Sequence, residues 1–138
     1  MRTYAIRLHP GQDLKKRVIK FCNENKIQAG VILTCVGSLS KATLRLADEN
    51  IKKEFVEKFE IVSLVGTLSP DGVHLHLSIS DKDGNTFGGH LKEGCIIYTT
   101  AEIIIGEIGD LRFERKVDET TKFKELVNIG NLSSKIIF

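Results

Sequence analysis

The chain is short of cysteine, proline and any excess of one charge, and each shortage excludes a class of protein. Its three cysteines, Cys22, Cys35 and Cys95, are odd in number, far apart and without a CxxC pair. Neither a disulfide framework nor a zinc-finger spacing can be written from them, which suits a reduced, cytoplasmic protein. Only two prolines occur in 138 residues, and 41% of the chain is hydrophobic, so it can bury a core and lacks the composition of a disordered tail. Lys and Arg total 20 against 18 Asp and Glu, a balance too even to imply by itself a surface that wraps a polyanion. No apolar run approaches the roughly 18 to 20 residues of a membrane helix. The opening MRTYAIRLHPG leaves no room for a signal-peptide apolar region, so a membrane partner is not expected. Missing too are GxxxxGK[ST] and GxSxG, and Gly88-Gly89 lacks the further glycines of a dinucleotide loop.

What is present reads as a single domain over 1–138. Tyr4, Ile6 and Leu8 alternate with Ala5 and Arg7 as an opening strand that ends at His9-Pro10-Gly11. After Asp13, a plausible N-cap, Leu14, Val18, Phe21 and Cys22 fall at helical spacing, with Lys15, Lys16, Lys20 and Glu24 away from them. GVILTCV, from Gly30 to Val36, reads as a strand covered on both faces and ended by Gly37-Ser38. Ala42, Leu44 and Leu46 alternate and turn at Asp48-Glu49-Asn50 into a short strand near Ile51 to Val56. Phe59–Leu68 and Val73–Ser80 flank the turn Ser69-Pro70-Asp71-Gly72 as a second hairpin. After a turn at Asp81–Asn85, FGGHLKEG is expected to interrupt regular structure before the long strand Cys95–Ile108. LRFERKV is the last strand candidate, and Phe123, Leu126 and Val127 read as a short helix or docking tail. The sum is an α+β domain, a mostly antiparallel central sheet with one main helix packed on it.

His74, His76 and His90 are the most chemically informative feature. Residues two apart in a strand share a face at roughly 6.5 to 7 Å, so His74 and His76 point together while Val73, Leu75, Leu77 and Ile79 face the core. Gly88-Gly89 permits a bend or a close backbone approach that returns His90 beside them. Three neutral imidazoles with an open position suit a divalent transition metal, zinc above all. The alternative places His74 and His76 on the wet face of the sheet, with His90 hydrogen-bonded to a turn. Glu102 lies inside the most apolar strand, where a carboxylate needs a partner or a shifted pKa. It is a candidate fourth ligand, partner to a ligating His, or general acid/base, or else one half of an edge or subunit-interface ion pair. Cys95, five residues past His90, reads as a buried structural thiol ahead of a nucleophile.

The blocks KFEIVSLVGTLSPDG (Lys58–Gly72), VHLHLSISDKDGNTFGGHL (Val73–Leu91) and GCIIYTTAEIIIGE (Gly94–Glu107) resemble the PPC domain family, also called domain of unknown function 296. The likeness covers about residues 3–115, leaving 116–138 as a C-terminal extension. The resemblance implies a subunit of a homotrimer described as a predicted DNA-binding protein. It also implies that the histidines of HLHLS and GGHL can hold a metal. In the family's plant members a separate AT-hook grips the minor groove. This chain has no RGRP-type hook, so any contact with DNA is expected to be weak and non-specific. Two other functions remain open: a zinc-dependent enzyme acting on a small substrate, in which Glu102 manages the proton of a metal-bound water, and a trimeric scaffold or metabolite-binding module.

Overall fold

The computed structural model describes residues 1–48, 50–128 and 130. The elements are β1 (Arg2–Leu8), α1 (Leu14–Glu24), β2 (Gly30–Arg45), β3 (Lys52–Phe55), β4 (Phe59–Ser69), β5 (Gly72–Ser80), β6 (Thr86–Leu91), β7 (Ile96–Glu107), β8 (Phe113–Val117) and β9 (Lys124–Asn128). A seven-stranded antiparallel sheet runs β1-β7-β2-β4-β5-β6, with β3 paired to β2. Because β6 also pairs with the end of β2, the path β2-β4-β5-β6 closes on itself. Helix α1 starts where the sequence places it: Asp13 accepts the Lys16 N–H at 3.0 Å and the Gly94 N–H at 2.6 Å, tying the helix start to the entry of β7. It buries Leu14, Val18 and Cys22, and Lys16 and Lys20 form exposed pairs with Glu93 and Glu24. Among the described residues, no helix is long and apolar enough to cross a membrane.

Both expected hairpins form. Ala42 faces Phe55 across β2 and β3, and Leu68 faces Val73 across β4 and β5, joined through Pro70-Asp71. Four expectations of the fold need correction. Strand β2 does not stop at Gly37-Ser38 but continues to Arg45. Gly37 is not a terminator but a point of close passage, where a side chain would collide with the Thr100 carbonyl of β7. Nor is β2 covered on both faces: a register shift between Ile32 and Thr34 lets both Ile32 and Cys35 turn inward, while Leu33 and Val36 stay exposed. FGGHL, expected as an interruption, is strand β6, with Gly88 opposite Ser78 and Gly89 opposite Leu77.

The fourth correction concerns Phe123, Leu126 and Val127, which do not form a helix. Asp118 Oδ1 accepts the N–H groups of Thr120 and Thr121, and Lys122 takes a left-handed φ of 63°. The chain therefore reverses, and Lys124–Asn128 pairs with β8. A five-residue segment gains more from such pairing than from a helix whose nucleation it could not offset. The β8-β9 hairpin is held against the main sheet by the Phe113 N–H on the Gln28 carbonyl and by the Arg115 N–H on Asp71, each at 3.0 Å.

Candidate metal centre

Strand alternation sets two of the three histidines. Leu75, Leu77 and Ile79 are buried in the core, so His74 and His76 project from the opposite face of β5. Pairing of β5 with β6 sets the third: His90 lies directly opposite His76, and opposite Arg45 of β2 on its other side. The glycines deliver it by close approach and not by a bend. A side chain at Gly88 would strike the Leu77 carbonyl, and a Cβ at Gly89 would lie 2.7 Å from the Arg45 carbonyl. The three rings stand with centroids 5.0 to 5.5 Å apart. One potential ligand atom from each lies within 4.8 Å of the other two, and the Nε2 atoms of His74 and His76 are 3.2 Å apart.

The surroundings of His74 and His90 disfavour the protonated form of both rings. Burial, then the neighbouring His76 and Arg115, lowers the His74 pKa. His90 is pushed down to about 4, by burial first and then by Lys92, His74, Arg45 and Lys15. A neutral imidazole has a lone pair free for a metal, whereas an imidazolium has none. The Nδ1 of His90 is buried without a hydrogen-bond partner among the described residues. Burying an unsatisfied polar atom costs about 1–3 kcal/mol, so converging rings with so few protein partners fit a cation better than a structural network. The triad could hold a metal, which is what the sequence spacing suggests.

The other sequence candidates are placed elsewhere. Glu102 is exposed on β7, in register with Arg7 of β1 and Val36 of β2, and does not join the three-histidine group. The apolar run around it suggested burial, but alternation along β7 turns Ala101, Ile103 and Ile105 inward and Glu102 outward. Cys95 is fully buried, its thiol pushed up to about 11 and hydrogen-bonded to Thr43, as a structural thiol would be. Sequence reasoning missed Arg45 and Arg115, which stand close enough to the triad to disfavour protonation of His74. Arg45 had no signal beyond its place in an alternating strand. Arg115 reaches the site only through the β8-β9 pairing, a long-range contact no local pattern reports.

Comparison with known proteins adds five findings. The profile of the Plants and Prokaryotes Conserved domain matches residues 1–109. The bifunctional protein GlmU of Synechococcus sp. (strain JA-3-3Ab) is 51% identical over 126 residues, covering 91% of this chain and 20% of that protein. The AT-hook motif nuclear-localized protein 2 of Arabidopsis thaliana is 30% identical over 112 residues, covering 75% of this chain and 33% of that one. The chain therefore spans a fifth to a third of the length of these curated relatives. Among solved structures, a hypothetical protein from Salmonella superposes with a TM-score of 0.91 at 39% identity, over 95% of both chains. The metal-containing protein AF0104 from Archaeoglobus fulgidus does so with a TM-score of 0.78 at 28% identity, over 92% of this chain and 94% of that one.

Proposed function

The chain belongs to the Plants and Prokaryotes Conserved domain family, and from that premise we propose that it is an oligomeric metal-binding domain in which His74, His76 and His90 hold one zinc ion. The observation that carries this is the convergence of three ring nitrogens within 4.8 Å of one another. Borderline-soft zinc is well served by three imidazoles and retains an open position for water or a ligand. Bound there, it would act as a Lewis acid on an oxygen of whatever occupies that position. The archaeal relative described as metal-containing supports the reading. The exposed apolar residues Leu33, Val36, Val62, Val65 and Tyr98 on β2, β4 and β7 support assembly into a homotrimer. Exposed Glu102 on β7 would then pair with a basic residue of a neighbouring copy. The 1–138 chain is taken as one domain carrying the β8-β9 hairpin as an extension beyond the family match.

Elemental analysis of untagged, zinc-supplemented protein tests the reading. We expect one zinc per chain, strongly reduced by replacing any one of the three histidines with alanine and unchanged by His9→Ala. Absence of stoichiometric metal, or its retention in the triple variant, would sink the assignment. A second reading, association with DNA, is favoured by the likeness to the Arabidopsis nuclear-localized protein. On this reading basic side chains contact phosphates, with no element reading bases.

A further inference from the structure

A cavity of about 290 Å³ lies beside the triad, lined by His74 and His90 together with Arg45, Arg115, Phe123 and Lys124. Its three cationic side chains make no ion pair with any described residue. Two carboxylates, Asp71 and Glu125, also border it, and both favour the Arg115 charge while accepting hydrogen bonds from neutral donors. Asp71 accepts the Arg115 backbone N–H at 3.0 Å, and Glu125 accepts the Thr121 hydroxyl at 2.9 Å. The Nη2 of Arg115 donates to the Thr67 hydroxyl at 2.7 Å and to its carbonyl at 3.4 Å, which fixes the guanidinium, while its buried Nε has no partner among the described residues. Arg45 is held over the Phe123 ring, 5.9 Å from its centroid.

Three cations face two carboxylates around this cavity, so its lining keeps a positive excess that a small anion entering it would offset. We infer that this cavity binds a small molecule bearing a carboxylate or phosphate group, with Arg45, Arg115 and Lys124 as its anchors. Guanidinium groups match the planar geometry of such oxyanions and give charge-assisted hydrogen bonds about twice as strong as neutral ones. The volume lies near the lower end, roughly 300 Å³, of ligand pockets, so the molecule is small. Arg115, Phe123 and Lys124 come from the β8-β9 hairpin, beyond the 1–109 segment that the family profile matches. The inference rests on the proposed metal centre in one respect: a cation on the triad adds positive charge beside His74 and His90.

Calorimetric titration of the zinc-loaded full chain with malonate and, separately, with inorganic phosphate tests it, with zinc content measured on the same samples. We expect at least one probe to bind, and the tighter of the two identifies the anionic group. Arg45→Gln and Lys124→Gln should each keep their zinc and bind that probe about tenfold or more weakly. Wild-type affinity in both variants would overturn the inference, because binding would then run through the metal alone. Failure of both probes to bind the zinc-loaded chain would overturn it as well. If the chain takes up no zinc, the metal reading falls by itself, and the same titrations of the metal-free chain decide the anion site. A loss of binding in Arg45→Gln supports the site, and no binding by the parent overturns it.

Discussion

His90 stands between Arg45 on β2 and His76 on β5, and burial with its cationic surroundings brings its pKa to about 4 from an ordinary 6.5. An imidazole whose folded pKa lies below its unfolded value stabilises the fold above the unfolded value. That stability is lost as pH falls through the folded one, since the unfolded chain takes up the proton first. Metal-free protein should therefore lose stability between about pH 6.5 and about pH 4. Thermal denaturation at pH 7.5, 5.5 and 4.5 would show this, and His90→Asn should flatten that part of the profile. A profile identical in the variant would remove His90 as the cause. The three thiols have no part in this window: burial raises Cys22 and Cys95 to about 11 and Cys35 to about 12, leaving them protonated throughout it.

Strand β6 ties the glycines to the site. Gly88 lies against the Leu77 carbonyl with the Ser78 Cα beyond it, so a methyl group there has to push β6 away from β5 and carry His90 with it. Overpacking of this kind costs about 1–3 kcal/mol. Gly88→Ala should lower the melting temperature and weaken zinc binding together, whereas Gly109→Ala, whose added methyl would meet nothing within 4 Å, should do neither. Unchanged zinc affinity in Gly88→Ala would show that β6 does not position the ligand. This contact also explains what could be read in advance. The pairing of His74 with His76 was legible because period-2 alternation is local, and the Pro70-Asp71 hairpin because turn chemistry is local. Strand β6 was not, because glycine has low strand propensity and the reason for it lies in two other strands. The same holds for Gly37 in β2, which needs no side chain because of Thr100 on β7. The register shift within β2 likewise hid the outward turn of Leu33 and Val36. At the C-terminal hairpin, apolar spacing alone suited either a helix or a strand, and the Asp118 turn decided it.

For the whole molecule, charge and apolar surface point to different partners. With a formal net charge of +2 and no RGRP-type hook in the sequence, DNA binding should be weak, indifferent to sequence and sharply reduced between about 50 and 200 mM salt, as expected when phosphate contacts supply the affinity. Anisotropy titrations of two unrelated labelled duplexes would check it, and sequence-selective binding at the higher salt would contradict it. The apolar surface makes the stronger demand. Val36 is 56% exposed and Val62 and Val65 54% each, on the adjacent strands β2 and β4, with Tyr98 of β7 beside them. At about 25 cal/mol per Å², covering such a face with copies of itself is a substantial driving force, and closed cyclic assembly leaves no apolar edge to propagate. Val65 and His76 line a common cavity, so this apolar face reaches the edge of the candidate metal centre. Light scattering coupled to size exclusion should give the mass of three chains at micromolar concentration. Val36→Glu, which puts a charge into the face away from the histidines, should shift that mass toward one chain while zinc content stays at one per chain. A wild-type monomer would remove the trimer, and a Val36→Glu trimer would move the interface off this face. Loss of zinc with the trimer would show instead that a neighbouring copy completes the metal centre.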